Sequence, residues 1–330
     1  MKFLDREIAP LGMGCWPIAG PMFSGETRLG YTNSDNVESI RTIHAALDAG
    51  ITLFDTAAAY GAGHAERLLA EALKRRPDAL IVTKIGIAID EDKKQLKGAE
   101  TEPASVMPAI DCCLSRLGRD RVDLLLLHQN SLPVKEAEPL FDEMEKAIRA
   151  GKIRAYGWST DFHSSVSSVA DRSGFMAVEH AMNICIDAPR MQKVISNKGL
   201  QALIRSPLAM GLLSGKYGTT DEVPADDIRA NALLPWADYY RGGRPNPKYL
   251  STLDAVRDLL TADGRTLVQG ALGWLWAKQE HNIPIPGART VEQINGIAGA
   301  LDFGPLPNGS MIEIEKLIER EPEDAPERER

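Results

Sequence analysis

The chain has 330 residues, of which 44% are hydrophobic and 25% are charged, and its formal net charge is -8. This is the composition of a globular protein, and a chain of this length can bury a large core without metal or disulfide support. The acidic balance and the lack of a basic stripe argue against nucleic acid as a partner.

The sequence also gives no sign of a membrane or secreted protein. Residues 1–5 run directly into charge, without the apolar core of a signal peptide, and no apolar run approaches the ~18 residues of a membrane span. The cysteines, Cys15, Cys112, Cys113 and Cys185, lack the spacing of metal ligands. We therefore expect a cytoplasmic protein with buried free thiols, no membrane partner and no metal site.

Short apolar runs alternate with amphipathic stretches along most of the chain. In chain order, the predicted strands cover residues 11–15, 52–55, 79–84, 122–128, 154–159, 177–179, 201–206 and 283–286. The clearest predicted helices cover residues 36–49, 103–117, 140–150 and 266–278. Repeated strand–helix units indicate a parallel sheet with helices outside it. At this length, they favour an α/β fold of the closed (β/α)8 TIM barrel type, with residues 1–330 as a single domain.

Four segments depart from this alternation. Residues 2–9 are too short for a strand–helix unit, and we predict a β-hairpin that closes the bottom of the barrel. Residues 21–33 replace a tight first turn and are expected to cover the mouth. Residues 216–249, rich in Gly and Pro near their end, form a long loop insertion near the mouth, of the kind that is often functional. Residues 319–330 alternate charge and proline without an apolar face, which predicts a frayed, solvated tail.

Polar residues stand where the early strands end. Asp55, Lys84 and His128 each close an apolar run, and Tyr60 follows Asp55 across a loop of small residues. Taken singly, each has an ordinary interpretation: a helix cap, a solvated lysine, a core histidine, a packing tyrosine. Because loops at the carboxyl ends of barrel strands converge, the four side chains can meet at one mouth.

Such a quartet suits proton donation to a carbonyl oxygen while hydride arrives at the carbon. A free tyrosine has a pKa of ~10, too high for efficient proton exchange near neutrality. A neighbouring ammonium lowers that pKa, and a carboxylate holds the ammonium in place. A histidine donates a hydrogen bond that orients the carbonyl.

Several segments together resemble the aldo-keto reductase family, in the family's order and over nearly the whole chain. They are Leu-Phe-Asp-Thr-Ala-Ala-Ala-Tyr-Gly at 53–61, residues 113–128 ending Leu-Leu-Leu-Leu-His, Gly-Lys-Ile-Arg-Ala-Tyr-Gly-Trp-Ser at 151–159, Ser-Pro-Leu-Ala-Met-Gly-Leu-Leu-Ser-Gly-Lys at 206–216, and Pro-Gly-Ala-Arg at 286–289 with Gln293. The resemblance implies that Tyr60 is the general acid in carbonyl reduction and that Lys84 tunes its pKa. It implies further that Asp55 holds the lysine and that His128 orients the substrate carbonyl.

The resemblance also implies a nicotinamide cofactor bound without a Rossmann unit. The residues expected to bind it are Ser159, Glu179, Arg205, Ser206, Leu208, Gly211, Leu212, Lys216, Gly287, Arg289 and Gln293. Ser159 and Glu179 would bind the carboxamide, and the 206–216 loop would fold over the pyrophosphate. Arg289 would meet the adenosine 2′-phosphate, because guanidinium matches phosphate in bidentate fashion. NADPH is therefore expected in preference to NADH.

The chain departs from the family pattern near the expected nicotinamide. Glu179 stands where a glutamine is common, and a carboxylate there would favour the oxidised, cationic ring. Arg205 stands where many members have a tyrosine, and its charge would disfavour that ring, so the two changes could offset each other as neighbours. Ile297 replaces a frequent adenine-contacting asparagine.

The expected substrate is a small carbonyl compound, an aldehyde or ketone, whose identity the sequence leaves open, as it does the oligomeric state. Trp16, Phe23 and Arg28 are weak candidates for the substrate pocket, and Arg28 with residues 239–241 would suit a polar or anionic substrate. Two alternatives are a Schiff-base lyase or aldolase using Lys84, and a cofactor-binding regulatory subunit with negligible turnover.

Overall fold

A computed structural model describes residues 1–31, 34–231 and 238–324. Its strands are β1 Lys2–Phe3, β2 Arg6–Glu7, β3 Gly12–Gly14, β4 Phe23–Ser24, β5 Thr27–Arg28, β6 Leu53–Asp55, β7 Leu80–Ile85, β8 Ile87–Asp90, β9 Gln95–Ala99, β10 Val122–Leu127, β11 Ile153–Ser159, β12 Phe175–Ala181, β13 Gln201–Arg205, β14 Tyr240–Arg241, β15 Arg244–Pro245 and β16 Asn282–Pro284. Its α-helices are α1 Asn36–Asp48, α2 His64–Ala72, α3 Pro103–Leu117, α4 Val134–Arg149, α5 His163–Val169, α6 Pro189–Lys198, α7 Pro247–Leu260, α8 Leu267–Lys278, α9 Val291–Ala298 and α10 Asn308–Leu317.

The predicted (β/α)8 barrel is confirmed. One sheet has the order β3, β6, β7, β10, β11, β12, β13, β16, and each neighbouring pair is parallel. A parallel bridge between Gly14 and Gly287 joins its two ends. A Cβ atom on Gly14 would lie 2.6 Å from the carbonyl oxygen of Ile285, so the sheet closes here only because Gly14 has no side chain.

The barrel strands are covered on both faces, which explains their nearly continuous apolar sequences. In β10, Leu124 and Leu126 belong to the interior cluster, while Leu125 and Leu127 pack in the outer core beneath the helices. The predicted hairpin at residues 2–9 is also present, as β1 and β2. Its fully buried Phe3 packs in the interior cluster and so closes the barrel.

The segments outside the strand–helix alternation differ in part from the predictions. The β8–β9 hairpin was not predicted, and it forms a small sheet with β4 and β5 from the 21–33 segment. The 216–249 insertion is less irregular than expected, because it contains β14 and β15 and because α7 begins within it at Pro247.

The expectation of a frayed tail is wrong for residues 319–324. Glu323 is buried, and its carboxylate accepts hydrogen bonds from the backbone N–H groups of Arg190 and Met191 in the first turn of α6. An anionic group at a helix N-terminus satisfies unpaired donors and the helix dipole. Residues 325–330 lie outside the described part of the chain.

Two findings concern the described ranges as a whole. None of their helices is long and apolar enough to cross a membrane. They also contain no group of three or more His, Cys, Asp or Glu side chains arranged to hold a metal ion.

Helix α8 begins with a capping box. The Thr266 hydroxyl accepts from the backbone N–H of Gln269, and the Gln269 side chain accepts from the backbone N–H of Thr266. Because the box satisfies two otherwise unpaired donors, we expect Thr266→Ala to lower the free energy of unfolding by about 1 kcal/mol. Urea denaturation of the variant and of Thr252→Ala, a change inside α7, measures the difference. An equal effect of both changes would contradict a specific role for the cap.

Candidate active site

The polar residues predicted to converge lie at the carboxyl-terminal end of the barrel. Asp55 ends β6, Lys84 lies near the end of β7, and His128 directly follows β10. Tyr60 lies in the turns between β6 and α2. The parallel register of β6, β7 and β10 places these strand ends side by side.

Lys84 is the centre of this cluster, and its side chain is fully buried. Its Nζ lies 2.5 Å from Asp55 Oδ1, 3.1 Å from the carbonyl oxygen of Thr56 and 3.3 Å from the Tyr60 hydroxyl. A second carboxylate, that of Glu179 from β12, lies 3.1 Å from the same nitrogen. The structure thus brings Asp55, Tyr60 and Lys84 into direct contact, and adds Glu179.

The buried setting determines the charges of this cluster. Burial raises the pKa of Tyr60 above its usual range, and the nearby carboxylates add to this, although the Lys84 ammonium opposes it. Lys84 therefore lowers the pKa of Tyr60, as expected, but the effect of burial is larger. The two carboxylates raise the pKa of Lys84 and outweigh the opposing effect of burial, so the lysine stays an ammonium. The phenol at its side is a proton donor at neutral pH.

His128 stands beside the tyrosine as a neutral imidazole. The two rings make an edge contact with centroids 5.9 Å apart. Burial lowers the pKa of His128 to about 3, helped by the charges of Lys84 and Arg205. Its buried Nδ1 has no hydrogen-bond partner. A neutral imidazole carries one N–H, which suits it to donate a hydrogen bond to a substrate oxygen near Tyr60.

One of the pocket candidates contacts the quartet, and the other two lie in strands β4 and β5. The Trp16 ring stacks on Tyr60 with centroids 6.0 Å apart. Phe23 lies in the β4–β9 pairing, and Arg28 forms an ion pair of 3.1 Å with Asp226 in the insertion.

Residues 239–241 make contacts of their own. Tyr239 and Tyr240 are buried, the Tyr239 hydroxyl accepts from Asn183, and Arg241 pairs with Asp238. These contacts hold residues 239–241 in place within the insertion.

Glu179 and Arg205 are not paired with each other as neighbours. Glu179 pairs with Lys84, and its Oε1 accepts a hydrogen bond of 3.2 Å from the Ser159 hydroxyl. Arg205 forms its ion pair with Asp161. The charge of Glu179 still contributes to raising the pKa of Arg205, after Asp161. Glu179 and Arg205 therefore form ion pairs with different partners, Lys84 and Asp161.

The loop after β13 has an unusual backbone. Ser206, Ala209, Met210 and Gly211 have φ values of 52°, 49°, 54° and 94°, although left-handed backbone is costly for the three that carry a Cβ. The side chains of Leu208 and Leu212 are buried, and the backbone N–H groups of Ala209 and Gly211 donate to carbonyl oxygens of the same loop, which makes it a compact turn. Compact turns of this kind present N–H groups to phosphates, and Lys216 is exposed at the end of the loop. These features fit a dinucleotide pyrophosphate.

The segment after β16 also reaches this end of the barrel. Arg289 is partly exposed. Its positive charge lies near enough to Tyr31 and Asp227 to interact electrostatically with both. Gln293 accepts a 2.8 Å hydrogen bond from the backbone N–H of Arg289, so it orients the loop that carries the arginine. Gly287, at the barrel seam, places this loop beside β3.

Sequence reasoning missed three residues that shape the site. Asp161 pairs with Arg205 and also accepts from the backbone N–H of Ala181. Asn183 donates to the carbonyl oxygen of Ser206 at 2.9 Å, which fixes the start of the strained loop. Arg229 lies among three tyrosine rings and donates to the carbonyl oxygen of Met210 at 3.3 Å. Asp161 and Asn183 follow predicted strands in the sequence, and this position could have pointed to them. Nothing in the sequence around Arg229 pointed to that residue.

Comparisons with known proteins show what this chain is similar to. Residues 10–319 match the model of the Aldo/keto reductase family. Aldo-keto reductase YhdN of Bacillus subtilis is 28% identical over 299 residues, which are 88% of this chain and 85% of that protein. The Schizosaccharomyces pombe aldo-keto reductase yakc, whose name includes NADP(+), is 27% identical over 96% of this chain and 91% of its own length. The solved structure of the glycerol dehydrogenase AKR11B4 from Gluconobacter oxydans has a TM-score of 0.79 at 28% identity, covering 95% of this chain and 92% of that one.

Proposed function

This chain belongs to the aldo/keto reductase family, and we propose that it uses NADPH to reduce a small aldehyde or ketone to the alcohol. The observation that carries the proposal is the buried Lys84 ammonium, whose Nζ contacts both Asp55 and the hydroxyl of Tyr60. A phenol held beside a permanent cation is a proton donor whose conjugate base is stabilised. Consumption of NADPH with a panel of short and hydroxylated aldehydes, together with Tyr60→Phe, tests the function.

The residues of this chain divide the work of reduction. His128 donates a hydrogen bond to the carbonyl oxygen and orients it beside Tyr60. Tyr60 gives its proton to that oxygen, and Lys84 stabilises the phenolate that results. The bound cofactor supplies the hydride that the carbonyl carbon receives. Trp16 packs on the Tyr60 ring and lines the apolar side of the pocket.

The cofactor proposal follows from the loops that surround the mouth. Ser159 and Glu179 would hold the carboxamide, the 206–216 backbone with Lys216 the pyrophosphate, and Arg289 the 2′-phosphate. The NADP(+) in the name of the yeast relative supports the phosphorylated form.

We expect Arg289→Ala to weaken NADPH binding by roughly 10- to 100-fold, the worth of a charge-assisted hydrogen bond. NADH, which lacks the 2′-phosphate, should be affected far less. Fluorescence titration of both nucleotides measures the difference, with Arg244→Ala, an exposed arginine of the insertion, as the control. An equal loss for NADPH and NADH would remove the reason to assign Arg289 to the 2′-phosphate.

The Schiff-base alternative is disfavoured by the state of Lys84. Imine formation needs an accessible, unprotonated amine, whereas Lys84 is fully buried and paired with two carboxylates. Borohydride reduction in the presence of aldehydes should leave the Lys84 peptide unmodified in mass spectra. The regulatory-subunit alternative is distinguished by the NADPH consumption assay.

A further inference from the structure

We propose that Asp55 and Glu179 form a carboxyl pair that stores one proton while the bound nicotinamide is neutral and releases it when the ring is cationic. This inference rests on the proposed function and assigns Glu179 a positioning role as the second carboxyl of the pair.

The geometry of the cluster supplies the first argument. The Asp55 and Glu179 side chains are 4% and 2% exposed, and both approach the single Nζ of Lys84, at 2.5 and 3.1 Å. If both carboxyls were ionised, one ammonium would face two negative charges away from water. Such like-charged carboxyls share a proton, because one charge remains uncompensated. Glu179 faces the ammonium through Oε2, while its Oε1 accepts from the Ser159 hydroxyl.

Among the described residues, the groups around the pair are neutral or, in the case of Arg205, already paired with another carboxylate. Tyr60 and the Cys15 thiol are neutral, because burial raises the pKa of each. His128 is neutral as well, and the charge of Arg205 is matched by Asp161. Ser159 contributes a neutral hydroxyl to Glu179.

The shift in the pKa of Asp55 agrees with a single ammonium that faces two carboxyls. Burial and the neighbouring Glu179 raise the pKa of Asp55 well above its usual range, and they outweigh Lys84. A cation placed beside the pair reverses the balance, because it favours the state in which the pair holds no proton. The side of the mouth formed by Ser159 and Glu179 is where the proposed function places the nicotinamide carboxamide.

The stored proton also completes the proton balance of one reduction. Tyr60 gives its proton to the substrate oxygen and becomes a phenolate 3.3 Å from Lys84 Nζ. The ammonium passes a proton to the phenolate and takes the proton held by the carboxyl pair. Tyrosine and lysine end in their starting states, and the pair ends doubly ionised beside the positive ring. No electrons move within this relay.

Proton linkage in calorimetry tests the inference. Binding of NADP+ and NADPH is measured in buffers of different ionisation enthalpy, with Tyr60→Phe as the background, so that the tyrosine contributes no proton. The 2′-phosphate is common to both ligands and cancels in the difference. We expect NADP+ to release roughly one proton more than NADPH near neutral pH. Adding Glu179→Gln should bring this difference close to zero.

Glu145→Gln is the control, since Glu145 contacts Tyr156 and Arg172 away from the mouth, and it should keep the full difference. An undiminished difference in the Glu179→Gln variant would overturn the inference. Infrared difference spectra give a second measurement that needs no Glu179 variant: a protonated carboxyl band present with NADPH should be lost with NADP+, and an unchanged band would contradict the proposal. Failure to bind either dinucleotide would overturn the proposed function itself. Equal proton release on binding of NADP+ and of NADPH, with intact carbonyl reduction, would overturn only this inference.

Discussion

Lys84→Met is expected to lower the free energy of unfolding by about 3–5 kcal/mol, because it removes an ammonium that pairs with two buried carboxyls. Methionine keeps the length of the side chain, so the effect reports the missing charge more than a cavity. The same change should reduce carbonyl reduction by at least roughly 10²-fold, since the Tyr60 phenolate loses its stabilising cation.

The stability loss of this variant should depend on pH. In the folded variant Asp55 stays buried beside Glu179 without the ammonium that opposes the rise of its pKa, so the folded pKa of Asp55 lies above that of the unfolded chain. Stability is then retained at pH values below the unfolded pKa and falls as the pH rises. Thermal unfolding should therefore show a larger deficit at pH 8 than at pH 5, relative to wild type.

Lys198→Met is the matched control for this experiment. Lys198 pairs with Asp171 at 2.6 Å on the surface, and exposed ion pairs contribute little. If Lys84→Met lowered the free energy of unfolding no more than Lys198→Met does, the buried charge cluster would not contribute to stability.

Tyr60→Phe is expected to reduce kcat for carbonyl reduction by roughly 10²–10⁴-fold, the usual worth of a positioned general acid. The phenyl ring should keep the stacking contact with Trp16, so the fold and the mouth stay in place. NADPH affinity should change little, because the lost hydroxyl contacts Lys84. Steady-state rates and a fluorescence titration of NADPH separate the two effects.

Tyr156→Phe provides the control for this change. The Tyr156 hydroxyl donates to Glu145 at 3.0 Å, away from the quartet, so its loss should cost about 1 kcal/mol of stability and leave kcat unchanged. Equal activity of Tyr60→Phe and Tyr156→Phe would remove Tyr60 from the mechanism.

Much of the architecture was predictable because its signals are local. Apolar runs such as residues 122–127 mark strands buried on both faces, and helix α3 ends at Gly118 in a left-handed conformation, as the sequence predicts. Asp55, Lys84 and His128 stand at strand ends, so their approach to one mouth follows from the barrel topology alone. The contact of Tyr60 with Lys84 required only that the small residues between Asp55 and Tyr60 form a tight turn.

What escaped prediction depends on contacts between distant parts of the chain. Glu179 reaches Lys84 from β12, on another side of the barrel, and only the closed sheet shows that their side chains meet. The composition of the tail indicates disorder, yet Glu323 accepts a hydrogen bond from the backbone at the N-terminus of α6. The net rise in the pKa of Tyr60 likewise reflects burial, which the sequence of one loop does not reveal.

The most direct test of the account follows the transferred hydride in the wild type and in the variant that lacks the proposed proton donor. Wild type and Tyr60→Phe are each given NADPH deuterated at the transferred position together with an aldehyde, and the alcohol is analysed by mass spectrometry. We predict an alcohol with one deuterium at the former carbonyl carbon from wild type, and at most a trace in the same time from Tyr60→Phe. Equal labelling by both proteins, or no labelled alcohol from wild type with any aldehyde or ketone tried, would contradict it.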